Sequence, residues 1–173
     1  MKYFLLLIMA ISSQVYAQEG AFRCNLDLRA RILVFQFSKD FIAYDTHKGS
    51  FWKYWQASDK KPGVEFVGAV YNSGGHGPQP ISHGEIIVER KTQDVWSLGA
   101  KEAQYVSYSP VRKTLTCKIL RSDASSIKII ESPEFKQGKF YRNFLISGLQ
   151  KGEKINLNKF EVSQNGSITL EVK

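Results

Sequence analysis

From residue 28 onward, apolar and polar residues alternate with a period of two, and no stretch keeps the three-to-four-residue apolar spacing of a helix for a dozen positions. In Lys113–Ile119, Leu115, Cys117 and Ile119 fall on one face while Thr114, Thr116 and Lys118 fall on the other. The same parity recurs at Ile127 and Ile129, at Phe140, Arg142, Phe144 and Ile146, at Ile155 and Leu157, and at Ile168, Leu170 and Val172. It predicts an all-β chain of antiparallel strands with one wetted side. Turn-forming residues separate the strands at His47-Lys48-Gly49, Lys61-Pro62-Gly63, Asn72-Ser73-Gly74-Gly75, Gln137-Gly138, Lys151-Gly152 and Asn165-Gly166. The last pair predicts a type I′ hairpin, because Asn and Gly best tolerate two successive positive φ angles. Roughly twelve short strands at this spacing predict an antiparallel β-sandwich in preference to a closed barrel.

Lys2, the apolar run Tyr3–Ile11 and the small residues up to Ala17 have the charged, greasy and cleavable parts of a secretory signal peptide. Residues 1–17 are thus expected to be removed, leaving 18–173 as a single exported domain, periplasmic or extracellular. The apolar run is too short to cross a bilayer, and no later segment predicts a transmembrane helix. Cys24 and Cys117 both remain after cleavage, and an even pair in an exported chain predicts one disulfide, with two buried thiols that never meet as the alternative. In the chain-entropy model so long a loop closure would contribute on the order of 4 kcal/mol.

The formal charge of +8 in 173 residues leaves nucleic acid an unsupported partner. Lys60-Lys61 is an adjacent basic pair, but the cations are scattered among strands and turns rather than ranged along one element with stacking aromatics. A solvated cationic surface is the expectation, open to weak attraction by anionic lipids, acidic glycans or an acidic protein.

Residues 72–83 read as the one long loop, stiffened by Pro78 and Pro80 and freed at Gly74, Gly75 and Gly77. The run Val64-Glu65-Phe66-Val67-Gly68-Ala69-Val70-Tyr71, followed by His76-Gly77-Pro78-Gln79-Pro80, resembles an N-terminal β-rich module of exported bacterial multidomain redox proteins. Those proteins also carry c-type cytochrome or sugar-dehydrogenase-like propeller domains. Leu28–Leu33, Ala43–Trp55, Tyr108, Leu115, Ile127–Pro133, Arg142, Phe144 and Gly148–Gly152 are similar in spacing. The resemblance implies an accessory module working beside a haem or dehydrogenase partner. This chain has no Cys-x-x-Cys-His for haem attachment, so no cofactor of its own is expected, and the resemblance carries no catalytic residues.

Candidate ligand or partner contacts are His76, Gln79, His83 and Tyr71 in and beside that loop, and Trp52, Tyr54 and Trp55 in the aromatic run Phe51–Trp55. Strand parity there groups Phe51, Lys53 and Trp55 on one face and Trp52 and Tyr54 on the other. One set left open would suit a sugar ring, the basis of an alternative carbohydrate-binding or small carbohydrate-active function. His76 and His83 with Glu85 or Asp45 have the chemistry of metal donors, but two histidines seven residues apart on a loop point more to hydrogen bonding, and no metal site is expected. The carboxylates from Asp40 to Glu134 mark no facing pair for glycoside hydrolysis, and no Gly-x-Ser-x-Gly elbow signals an activated serine.

Overall fold

The parity of the C-terminal half is the parity of its burial. A computed structural model describes residues 19–67 and 79–172. There, β11 (Thr114–Leu120), β12 (Ser126–Lys136) and β13 (Lys139–Ser147) bury every second side chain. With β10 (Gln104–Ser109) and β16 (Gly166–Glu171) they form an antiparallel sheet ordered β10-β11-β12-β13-β16. The turn between β12 and β13 is Gln137-Gly138, both at positive φ, as a type I′ hairpin requires. Asn165-Gly166 makes no hairpin, contrary to expectation. β14 (Ile155–Leu157) pairs with β15 (Phe160–Val162), whereas β16 pairs with β13. The Asn165 amide instead bridges the backbone N–H and C=O of Leu149.

A second five-stranded antiparallel sheet runs β1 (Gly20–Leu26), β2 (Arg29–Phe37), β3 (Asp40–Asp45), β4 (Ser50–Gln56) and β7 (Glu85–Asp94). Its middle strands are buried on both faces: Ile32–Phe35, Phe41–Tyr44 and Ser50–Trp55 form unbroken buried runs. One face shares a core with the C-terminal sheet, where Phe51 meets Phe140 at 5.6 Å and Tyr54 meets Phe135 at 5.3 Å. The other carries a separate core of Leu26, Ile32, Val34, Phe41, Ala43, Trp52 and Trp55. Val64 of the hairpin β5 (Gly63–Val67) and β6 (Gln79–His83) packs on that outer core. A four-stranded sheet β15-β14-β8-β9, with β8 (Trp96–Leu98) and β9 (Lys101–Glu102), completes sixteen strands among the described residues, against the twelve expected.

Two separate cores explain why the expected disulfide is not formed. Cys117 belongs to the core that draws on both five-stranded sheets and Cys24 packs at the outer one, so the two thiols lie in different cores and stay free. Burial lifts the Cys24 thiol to about 11, with the Asp27 charge adding, and lifts Cys117 to about 12, with Glu131 adding. The shared core also holds an ion cluster. The Arg142 guanidinium donates to Glu131 at 2.6 and 2.9 Å and pairs with Asp94, while Tyr44 donates to Glu131 at 2.7 Å and Asn158 to Asp94 at 2.6 Å.

Candidate functional site: the outer face of the first sheet

The β5–β6 hairpin reaches this face through backbone that only glycine allows. Gly63 has φ +90°, and a β-carbon there would lie 2.2 Å from the Phe41 ring. Trp55 stacks on Phe41 at 5.3 Å and donates its indole N–H to the Gly63 carbonyl at 2.5 Å, so β5 sits directly on the outer core. At the other end the Asp27-Leu28 turn joins β1 to β2, with both residues at positive φ. Asp tolerates that conformation, and the turn places its carboxylate against β6.

Asp27 accepts three hydrogen bonds: from Lys53 Nζ at 2.6 Å, from the Ser82 N–H at 2.7 Å and from Ser82 Oγ at 2.8 Å. Its own N–H donates to the Pro80 carbonyl at 3.1 Å. Lys53 is 3% exposed and also lies 3.3 Å from Glu89. Burial acts to raise the Asp27 pKa, but the hydrogen bonds from Lys53 and Ser82 outweigh it and hold the carboxyl below its ordinary value. Ser82 Oγ stands 3.2 Å from Lys53 Nζ, the spacing of a serine–lysine nucleophile. Lys53 is instead engaged with the carboxylates of Asp27 and Glu89, and the Ser82 hydroxyl donates to Asp27 rather than to the amine. The arrangement is a clamp, holding β6 to the β1–β2 turn.

The expected aromatic grouping is corrected by the ladder itself. Register shifts at Ala43/Tyr44 and at Phe51/Lys53 break the parity of β4, so Phe51 and Tyr54 enter the shared core while Trp52 and Trp55 enter the outer one. None of Trp52, Tyr54 and Trp55 is more than 5% exposed, and none offers a free ring face. Tyr54 donates to Asp40 at 2.9 Å; burial first, then Asp40, raises its pKa. Arg29 and Lys53 each stand 4.6 Å from the Trp52 ring.

Residues 79–83, expected in a loop, are strand β6, and Gln79 pairs with Val67. His83 Nδ1 lies 2.7 Å from the Glu65 carboxylate, near enough for a charge pair when the ring is protonated, although not aligned as a hydrogen bond. Asp45 and Glu85 sit at opposite ends of the sheet, since Asp45 pairs with Ser50 and Glu85 with Gln56. Among the described residues no three His, Cys, Asp or Glu side chains gather as metal ligands. His47 is on the β3–β4 turn, lining a cleft of about 470 Å³ with Lys48, Glu102, Gln104 and Tyr105. Tyr71, His76 and residues 1–17 lie outside the described residues.

No protein-family model, curated protein or solved structure matches this chain. No helix among the described residues is long and apolar enough to cross a membrane. The residues that fasten the site, Asp27, Lys53 and Ser82, were not singled out by the sequence pattern. Two signals point to them: a two-residue gap between alternating runs at Asp27-Leu28, and a lone lysine inside an aromatic run.

Proposed function

We propose that the chain is an exported, non-catalytic binding module whose two five-stranded sheets form a β-sandwich and whose β5–β6 hairpin is presented to a partner. That partner is an exported redox protein bearing c-type haem or a sugar-dehydrogenase-like domain. The observation that carries the reading is the clamp of Asp27, Lys53 and Ser82. It fixes the hairpin on one side while leaving Phe66 64% exposed and Glu65 open on the other. A recognition arm held in place before contact loses less conformational freedom on binding. The charged groups of the clamp are satisfied by one another, which favours holding over proton transfer. The carbohydrate alternative relied on an open Trp52 or Trp55, and both rings are 3% exposed or less.

The test is affinity purification of the tagged chain from the exported fraction of its own cells, read by haem absorbance and dye-linked dehydrogenase activity in the eluate. Co-elution of either, lost on Phe66→Glu, is the expected result. An eluate lacking both, or retention unchanged by Phe66→Glu, would overturn the reading.

A further inference from the structure

Strand β7 leaves its ladder opposite Trp52. Lys53 pairs with Glu89 and Phe51 with Asp94, so residues 90–93 of β7 face a single residue of β4. A bulge of this kind re-aims side chains. Here it brings Arg90, Lys91 and Thr92 around a small cavity that Arg29 and Trp52 also line. Arg29, Arg90 and Lys91 are exposed and make no ion pair among the described residues. The one carboxylate in the lining, Asp45, already accepts the His47 N–H at 2.8 Å.

An independent observation concerns Trp52. It is 3% exposed, and its Nε1 is buried without any acceptor. A buried donor left unpaired is costly, and natural folds rarely keep one without a use. Trp55 on the same strand has its indole N–H satisfied by Gly63, whereas Trp96, in another sheet, shares the unpaired state. The cavity has a volume of about 40 Å³. So small a space takes one compact polar group at its floor and leaves the rest of a larger molecule outside, over Arg29, Arg90 and Lys91.

We propose that this cavity binds a single tetrahedral oxyanion, sulfate or phosphate, which accepts from the Trp52 indole N–H and is neutralised by Arg29, Arg90 and Lys91. Guanidinium forks match two oxygens of such a group, and Lys91 adds a point charge. The ion is either free or the ester group of a saccharide whose ring stays outside. The site involves neither Phe66 nor the hairpin partner, so it stands or falls separately from that reading.

The experiment follows the three indole N–H signals of the 15N-labelled chain while chloride is replaced by sulfate, then phosphate, at constant ionic strength. A sulfated disaccharide and its unsulfated parent are titrated in parallel. Trp52→Phe assigns the Trp52 signal, and Trp55 and Trp96 are internal references, the latter also buried without an acceptor. The expected result is a saturable shift of the Trp52 signal alone. Arg90→Gln/Lys91→Gln, both exposed and tolerable to the fold, should weaken binding roughly tenfold or more. A shift with the inorganic ions supports a free-ion site, and a shift confined to the sulfated disaccharide supports an ester-borne group. A Trp52 signal unmoved by all four, or moved equally in the double variant, would overturn the proposal.

Discussion

Replacing Arg142 by methionine keeps much of the volume in the shared core and removes its one guanidinium. Arg142 is 3% exposed, lies between the rings of Phe51 and Phe144 at 5.1 and 5.0 Å, and is the cation for both Glu131 and Asp94. Burial opposes its charge, but those two carboxylates outweigh burial and raise its pKa. Without it, two buried carboxylates remain, with only the Tyr44 hydroxyl and the Asn158 amide as donors from this cluster. Breaking a buried pair in this way costs about 3–5 kcal/mol, against ~5–15 kcal/mol for a whole domain. With a urea slope of about 2 kcal/mol/M, the midpoint should fall by roughly 2 M. Neutralising the remaining carboxylates as well, in Arg142→Met/Glu131→Gln/Asp94→Asn, should recover part of that loss, because the stranded charges go too. An acid whose folded pKa is raised above its unfolded value weakens the fold at high pH and ceases to do so in acid. The gap between Arg142→Met and the parent should therefore narrow as pH falls from neutrality towards about 4. A midpoint within about 0.3 M of the parent at neutral pH would show that the cluster adds nothing net.

Asp27→Asn tests the clamp by its pH dependence. The Asp27 pKa is depressed on folding, so its contribution is complete above the unfolded value near 4 and disappears as pH falls through the lower folded value. Urea midpoints of parent and variant should differ at pH 6 and converge in stronger acid, and equal midpoints at both ends would refute the role. The free thiols predict two equivalents of alkylation in denaturant without reductant, and slow native labelling because both thiol pKa values are raised. Unchanged mass after denaturing alkylation would mean that a disulfide exists.

Where a strand has one dry face, its parity in the sequence is its parity in space. Leu115, Cys117 and Ile119 were legible as inward for that reason, and they are buried. The aromatic run of β4 was not legible in the same way. Both faces of that strand are dry, so composition distinguishes neither, and the bulges that move Trp52 beside Trp55 arise in its pairing with β3 and with the sequence-distant β7, where alternation gives no sign of them. The cysteines fail at the same step: parity turns Cys117 inward, but only the existence of a second core puts Cys24 elsewhere. Turn chemistry has a similar limit. Gln137-Gly138 and Asn165-Gly166 are comparable as dipeptides, and what separates them is whether the flanking strands pair with each other.

The clamp lies beyond sequence parity for a further reason, which also explains its position. Lys53 and Arg142 are buried cations on opposite sides of the first sheet, and each meets carboxylates from separate elements: Asp27 and Glu89 for Lys53, Glu131 and Asp94 for Arg142. Apolar contacts alone would tolerate several placements of the β5–β6 hairpin on the outer core, since sliding one greasy surface along another changes little buried area. Lys53 does not tolerate them. A hairpin displaced along the sheet would move Ser82 away from Asp27, remove two of the three hydrogen bonds to that carboxylate and leave a buried charge pair incompletely solvated. The buried ions thus select the arrangement more than they add to its stability. They also leave the exposed hairpin residues Glu65 and Phe66 in one fixed place, as the proposed partner-binding role requires.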